Sequence, residues 1–260
     1  MLDLEDGVFM DQVEELVEGK RWAQLRDMLL LLEPADIALI LDKLPEDRLP
    51  LLYRLLPKET AAEVFVEMDP DVQELLIKTF SDTELKEVLD ELYVDDTVDL
   101  IEEMPASVVK RILKHTDPET RKSVNEILKY PEDSAGSIMT TEFVDLKRDM
   151  TVEDAFKRIR RTGIDKETIN ICYVTDPSRH LLGLVSIRTL LLAEEDEAIE
   201  DIMETNVIFA TTLEDKEDVA QQLSKYDFLA MPVVDKESRL VGIVTIDDAI
   251  DVMEELSLIH

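Results

Sequence analysis

The second half of this chain carries one pattern twice, and a tandem repeat leaves few folds open. Ile138-Met139-Thr140 is answered by Ile202-Met203-Glu204, and Val152-Glu153-Asp154-Ala155 by Lys216-Glu217-Asp218-Val219. Leu182-Gly183-Leu184-Val185-Ser186 is answered by Val241-Gly242-Ile243-Val244-Thr245. In each copy an alternating segment (FVDLK; VIFAT) leads to a segment of helical period (VEDAFKRIRR; KEDVAQQLSK). Two apolar runs follow (INICYVTD and LLGLVSI; AMPVVD and LVGIVTI), then a last helical stretch. This order predicts a β-α-β-β-α unit present in tandem. The acidic run between the copies, AEEDEAIEDIME (193–204), reads as a solvated linker helix.

The first half follows a different rule. Turn signals recur every 10–14 residues or so: Pro34, Pro45, Pro57, Pro70, Ser81-Asp82, Asp95-Asp96, Pro105 and Pro118. Between them lie segments such as ADIALILDKL, KETAAEVFVEM, DVQELLIKTF and DTELKEVLDEL, each with Leu, Ile or Val at helical spacing. Proline with Asp or Glu opens most of them, as a helix first turn prefers. Helices of two to three turns are unstable alone. A regular array of them predicts an α-solenoid, a superhelix of short helices burying one continuous stripe. An irregular helical bundle is the alternative. The composition shifts near Pro131, so three domains are expected: a helical domain at 1–131 and the two repeats at 132–200 and 201–260.

Charge narrows the function. The 61 acids outnumber the 28 Lys and Arg, for a formal net charge of −33. Phosphate backbones need clustered cations, so the charge argues against a nucleic-acid binder and against direct docking on anionic lipid. Such a surface attracts cations and is strained by self-repulsion until they arrive. The single cysteine, Cys172, allows no internal disulfide and sits in an apolar run as a small core residue. His115, His180 and His260 match no zinc spacing. The N-terminus, MLDLEDGVFM, lacks the apolar region of a secretion signal, and no run of about 18 apolar residues occurs. A reducing, cytosolic setting fits these features. Without a nucleophile–base pair, glycine-rich phosphate loop or metal–His cluster, the chain does not read as an enzyme.

The repeated unit resembles a pair of CBS domains, on the strength of the I-M opening, the Met231-Pro232-Val233-Val234-Asp235 strand and the h-G-h-h-[ST] strands. The resemblance implies a pseudo-twofold disc that dimerises and binds adenine nucleotide between the repeats. There a [ST]-x-x-D turn would reach the ribose: the second copy has Thr245-Ile246-Asp247-Asp248, while the first has Ser186-Ile187-Arg188-Thr189. A hydroxyl cannot offer the two acceptor oxygens of a carboxylate, so one of the two clefts is expected to be weakened. Arg188 and Phe228 are the candidates to meet a phosphate and a base, with Thr245 at the ribose turn.

The whole chain is similar to the cytosolic half of MgtE-family magnesium transporters. AAEVF (61–65), Leu92-Tyr93-Val94-Asp95-Asp96, Ser134-Ala135-Gly136-Ser137-Ile138-Met139-Thr140 and TIDDAIDVMEEL (245–256) carry that likeness. It implies a magnesium-sensing region, homodimeric through its CBS domains, at the cytoplasmic face of the membrane. The transmembrane pore of the family is not in these residues. Carried over by motif, the magnesium ligands are Glu63, Asp95, Asp99, Asp215, Glu217, Asp227, Asp248 and Asp251, with Glu254 or Glu255 on the last helix. Backbone carbonyls near Gly136, Ser137 and Ser224 are implied as well. Mg²⁺ takes oxygen ligands and keeps several waters. Two carboxylates about 6 Å apart repel by roughly 3 kcal/mol at an effective dielectric of about 20, and a divalent ion reverses that sign. An adenine-nucleotide CBS module serving another partner, and a protein-binding solenoid scaffold, are the competing functions.

Overall fold

The computed structural model describes the backbone of residues 7–259 and the side chains of residues 9–164 and 166–254. The chain forms two compact units, one reaching to Leu92 and resuming over Asp96–Arg121, the other made of Tyr93–Asp95 and the chain from Lys122 onward. The first is entirely helical among the described residues. Its elements are α1 (Gly7–Glu18), α2 (Trp22–Leu29), α3 (Pro34–Asp42), α4 (Leu49–Tyr53), α5 (Lys58–Val66), α6 (Pro70–Thr79) and α7 (Asp82–Leu89). After them come α8 (Val94–Glu103), α9 (Ala106–His115) and α10 (Pro118–Ile127), and the division between units passes through α8 and α10.

Proline opens α3, α6 and α10, where its missing N–H has no intrahelical partner to lose. Pro57 and Pro105 sit one position earlier, as N-caps of α5 and α9. Ser81 and Glu84 close a reciprocal capping box at the start of α7. Helix α3 packs on α5, α5 on α7 and α7 on α9, while α4 packs on α6. From α3 to α9 the short helices are thus held largely by the one two places along the chain, the solenoid arrangement, while α1 packs on α2 and α6 also on α9. Tyr53, Phe65 and Phe80 meet at ring-centroid distances of 5.4–6.5 Å in its core. The Tyr53 hydroxyl donates to the carbonyl of Ala61 at 2.6 Å, which allows a polar atom to be buried there.

The second unit holds the repeat. In the first copy β1 (Val144–Lys147) runs parallel to β2 (Ile171–Thr175), which pairs antiparallel with β3 (Leu181–Ser186). In the second copy β4 (Ala210–Thr211), β5 (Ala230–Val234) and β6 (Leu240–Thr245) reproduce that order, down to a bulge near the end of the central strand. Helices α11 (Val152–Thr162), α12 (Ile187–Leu192), α13 (Ile199–Ile202), α14 (Lys216–Tyr226) and α15 (Ile246–Ile259) complete the unit.

The lead-in of each copy crosses to the other copy's sheet. Thr140 bridges Ile243, and Glu204 bridges Leu184. The repeated glycines make this possible: a Cβ on Gly242 would lie 2.7 Å from the Thr140 carbonyl oxygen, and one on Gly183 2.7 Å from that of Glu204. Tyr173, Ala230, Leu240 and Ile243 fill the space between the sheets.

Two expectations are corrected. The 193–204 run is not one linker helix: only Ile199–Ile202 is helical. The carbonyls of Glu195 and Glu197 instead accept the first N–H groups of α11, from Glu153 and Val152, which pulls that stretch out of helical geometry. In VIFAT only Ala210 and Thr211 are strand. No helix among the described residues is long and apolar enough to cross a membrane.

Candidate functional site

The two [ST]-x-x-[DT] turns each begin a helix. At the second, Thr245 Oγ1 donates to Asp248 Oδ2 at 2.5 Å and the Thr245 N–H donates to the same oxygen at 3.2 Å. Asp248 thus closes the N-terminus of α15 and carries an acceptor pair at the turn. At the first, the Thr189 N–H donates to Ser186 Oγ at 3.0 Å, and the two hydroxyls lie 2.9 Å apart. The departure at Thr189 leaves a neutral, mutually bonded hydroxyl pair where the second repeat has a carboxylate.

Beside the second turn, the Phe228 ring stacks on Tyr226 at 5.4 Å and 30°, with the Lys225 ammonium 4.9 Å over the other ring. Tyr226 is 41% exposed, so the aromatic pair is open to solvent. Stacked rings with a cation over one of them suit a nucleotide base. Arg188 is exposed on α12. Sequence reasoning named Phe228 and missed Tyr226; an aromatic two residues before another, at a helix end, is the signal that was available.

Magnesium-candidate residues fall in several places. The segment after α10 lies along the approach to α14: Ser134 bridges Asp215, the Gly136 N–H donates to the Thr212 carbonyl at 3.0 Å, and the Lys216 N–H donates to Asp133 at 3.0 Å. Gly136 and Ser137 are therefore brought close to Asp215 and Glu217. A Cβ at Gly136 would sit 2.5 Å from the Tyr130 ring and 2.8 Å from the Thr212 oxygen, so glycine is required. Burial, with Glu126 and Asp235 nearby, pushes the Tyr130 hydroxyl above its ordinary range. Asp215 caps α14 by accepting the Glu217 N–H at 2.9 Å. Asp227 ends the same helix in the left-handed region, φ 54°, which Asp tolerates better than most residues. Hard carboxylate and carbonyl oxygens of this kind suit Mg²⁺.

The remaining candidates are spread out. Glu63 is exposed on α5, between the buried Ala62 and Val64. On α8 Asp95 is buried and Asp99, one turn later, is exposed. Ser224, Asp251 and Glu254 are exposed on α14 and α15, and the Glu255 side chain lies outside the described residues. Glu142 was not singled out in the sequence. Its carboxylate accepts the Val94 N–H at 2.9 Å, at the start of α8, where a negative charge is favourable. Among the described residues no three or more His, Cys, Asp or Glu side chains converge in a way that could hold a metal ion. Cys172 is fully buried and its thiol is pushed up to about 12 by burial, which makes it a packing residue.

Comparison with known proteins covers both units. The MgtE intracellular N domain matches residues 32–133, and the CBS domain matches residues 135–196 and 199–255. The magnesium transporter MgtE of Thermus thermophilus is 38% identical over 255 residues, spanning 96% of this chain and 56% of the relative. That of Bacillus subtilis is 34% identical over 238 residues, spanning 92% and 53%. The chain thus spans about half the length of these curated relatives. The crystal structure of the cytosolic domain of the Mg²⁺ channel MgtE in complex with ATP is 37% identical, with a TM-score of 0.87 over 94% of this chain and 99% of that one. The soluble part of a magnesium transporter follows at 31% identity and a TM-score of 0.85, over 97% and 99%.

Proposed function

This chain belongs to the MgtE family, as a cytosolic region made of the helical N domain and a CBS pair, and on that premise we propose that it is the magnesium-sensing regulatory part of a magnesium transporter. The observation that carries this reading is the similarity, across both units, to a solved MgtE cytosolic domain. A formal charge of −33 supplies the physical reason for sensing a divalent cation, since a compact state concentrates like charge until cations offset it.

In the proposed mechanism Mg²⁺ is held by carboxylates that motif matching assigns on both sides: Glu63, Asp95 and Asp99 from the helical domain, and Asp215, Glu217, Asp227, Asp248 and Asp251 from the CBS pair, with Glu254 or Glu255 toward the membrane part. Gly136, Ser137 and Ser224 contribute carbonyl oxygens. Each ion shared between the domains binds the closed arrangement better than the open one, and that difference in affinity drives closure. In the intact transporter, at the cytoplasmic face of the membrane, closure shuts the pore when magnesium is plentiful. In this reading the limit near 131 divides the helical part from the CBS pair that it closes on, and the limit near 200 divides the two CBS repeats.

Small-angle scattering tests this. The radius of gyration should fall between magnesium-free buffer and millimolar magnesium. Asp95→Ala combined with Asp248→Ala should remove most of that compaction and leave the helical circular-dichroism signal in place. An identical envelope with and without magnesium, or full compaction in the double variant, would overturn the clamp.

Adenine nucleotide is a second ligand favoured by a specific observation, the solved relative in complex with ATP. Phe228, Thr245 and Asp248 offer the stacking face and acceptor in this chain, with Arg188 for phosphate. Because Thr189 stands at the first turn, calorimetry should give one adenine-nucleotide site per chain rather than two.

A further inference from the structure

In a chain where acids outnumber bases two to one, two cations of the second unit that lack a carboxylate partner among the described residues face one cavity. The cavity, about 240 Å³, opens beside the hairpin between β2 and β3. Lys166 and Arg179 line it, and among the described residues neither has a carboxylate partner. Arg179 is anchored: it sits in the left-handed region at φ 71°, its carbonyl accepts the Leu240 N–H at 2.9 Å, and its Nη2 donates to the Leu240 carbonyl at 3.0 Å. That uses one of five guanidinium donors and fixes the rest at the cavity mouth.

The one carboxylate in the lining, Asp145, is already compensated. Arg158 donates to it and Lys147 lies 3.2 Å away. The lining thus holds two cations without a carboxylate partner and one acid that is already compensated, inside a protein of net charge −33. Thr175 accepts from Lys147 Nζ at 2.8 Å, so its own proton is left to donate, and Thr141 adds a second hydroxyl. Phe143 and Leu240 supply an apolar wall. Directly behind that wall is Tyr173, fully buried, packed edge-on to Phe143 at 6.0 Å and clustered with Leu240. Its hydroxyl has no hydrogen-bond partner, an arrangement that costs free energy unless something enters to satisfy it. An adjoining cavity shares Thr141 and Arg179 and adds Lys122 and Glu126, one charge of each sign.

The geometry points to a second ligand site here, for a small phosphate monoester with an apolar or aromatic body. Arg179 would bind two phosphate oxygens as a fork, Lys166 would add a point charge, and the two threonines would donate to the remaining oxygen. Phe143 and Leu240 would cover the body. The site is distinct from the proposed nucleotide cleft: Arg188, Phe228 and Thr245 do not line it.

Amide-shift titrations of the full 260-residue chain with phenyl phosphate and with inorganic phosphate test the assignment. Phenyl phosphate should give saturable shifts at Thr141, Lys166, Thr175 and Arg179, bind more tightly than inorganic phosphate, and bind equally to Arg188→Ala. Lys166→Ala combined with Arg179→Gln should weaken it at least about tenfold, the loss expected for two charge-assisted contacts. If Arg179→Gln disturbs the hairpin, Lys166→Ala alone should still weaken binding several-fold, by about one such contact. Absence of saturable shifts, parental affinity in Lys166→Ala, or shifts centred on Arg188, Phe228 and Thr245 would each overturn the site. None of these outcomes depends on whether magnesium closes the domains.

Discussion

At the level of single residues, close backbone approach and a few compensated charges decide the most. Gly242 lies under the crossing lead-in of the other repeat, where a Cβ would meet Met139 Sδ at 2.6 Å as well as the Thr140 oxygen. The sulfur can move but the backbone cannot, so Gly242→Ala should cost about 1–3 kcal/mol, the usual range for overpacking. Urea unfolding followed by exposure of Cys172 reports this unit, and an unchanged midpoint would refute the crossing contact. Glu84 shows a charge effect in the other unit. Its hydrogen bond from Arg54, and then its bond from the Ser81 N–H, hold its carboxyl down at about 2. A depressed folded-state value means the contribution is complete above the unfolded value near 4.5 and is lost as pH falls from about 4.5 to about 2. The group is largely solvated, so the contribution is at most about 1 kcal/mol. Glu84→Gln should be slightly less stable at pH 7 and should flatten that acid limb in pH-dependent thermal melts.

Among elements, the short helices of the first unit depend on neighbours rather than on themselves. Helix α5 has nine residues, too few to be stable alone, and is held by α3 on one side and α7 on the other. Phe65 is its anchor, fully buried between Tyr53 and Phe80. Phe65→Ala should cost about 3–5 kcal/mol, the range for removing a core aromatic. The loss should appear in the helical signal of the first unit during urea unfolding, while the labelling rate of Cys172 in the second unit stays at the parental value. Equal acceleration of Cys172 labelling would show that the two units unfold together.

For the molecule as a whole, charge and exposed apolar surface set how it associates. Leu191 and Leu192 on α12 are 67% and 77% exposed, and Leu213, Leu229 and Ile250 are half-exposed on the same unit. Large apolar side chains left to water on a chain so strongly acidic suit a self-complementary interface, where the apolar contact outweighs repulsion once cations screen it. A homodimer through the CBS pair is the expected state. Sedimentation equilibrium at micromolar concentration should show it in millimolar magnesium, and Leu192→Glu should shift the equilibrium toward monomer. Monomer under both magnesium-free and magnesium-bound conditions would remove the dimer from the functional reading.

Much of this architecture was legible in the residues alone because it is a local property. Period-2 and period-3.6 patterns, proline at helix starts and a duplicated order of segments need only near neighbours to be expressed, so both repeats and the array of short helices could be read directly. Only tertiary structure decided what depends on distant partners. Asp95 and Asp99 sit one turn apart on one face with the same chemistry, yet one is buried and the other exposed, since the packing changes along the length of α8. The 193–204 run has a helical composition but gives its carbonyls to α11, some forty residues earlier in the chain. Arg179 looks like an ordinary turn residue until the bond to Leu240 brings it to the same cavity as Lys166. Sequence spacing carries the torsional preferences of a segment; which groups end up a few ångströms apart is determined by how the segments pack, and that is where the candidate sites are made.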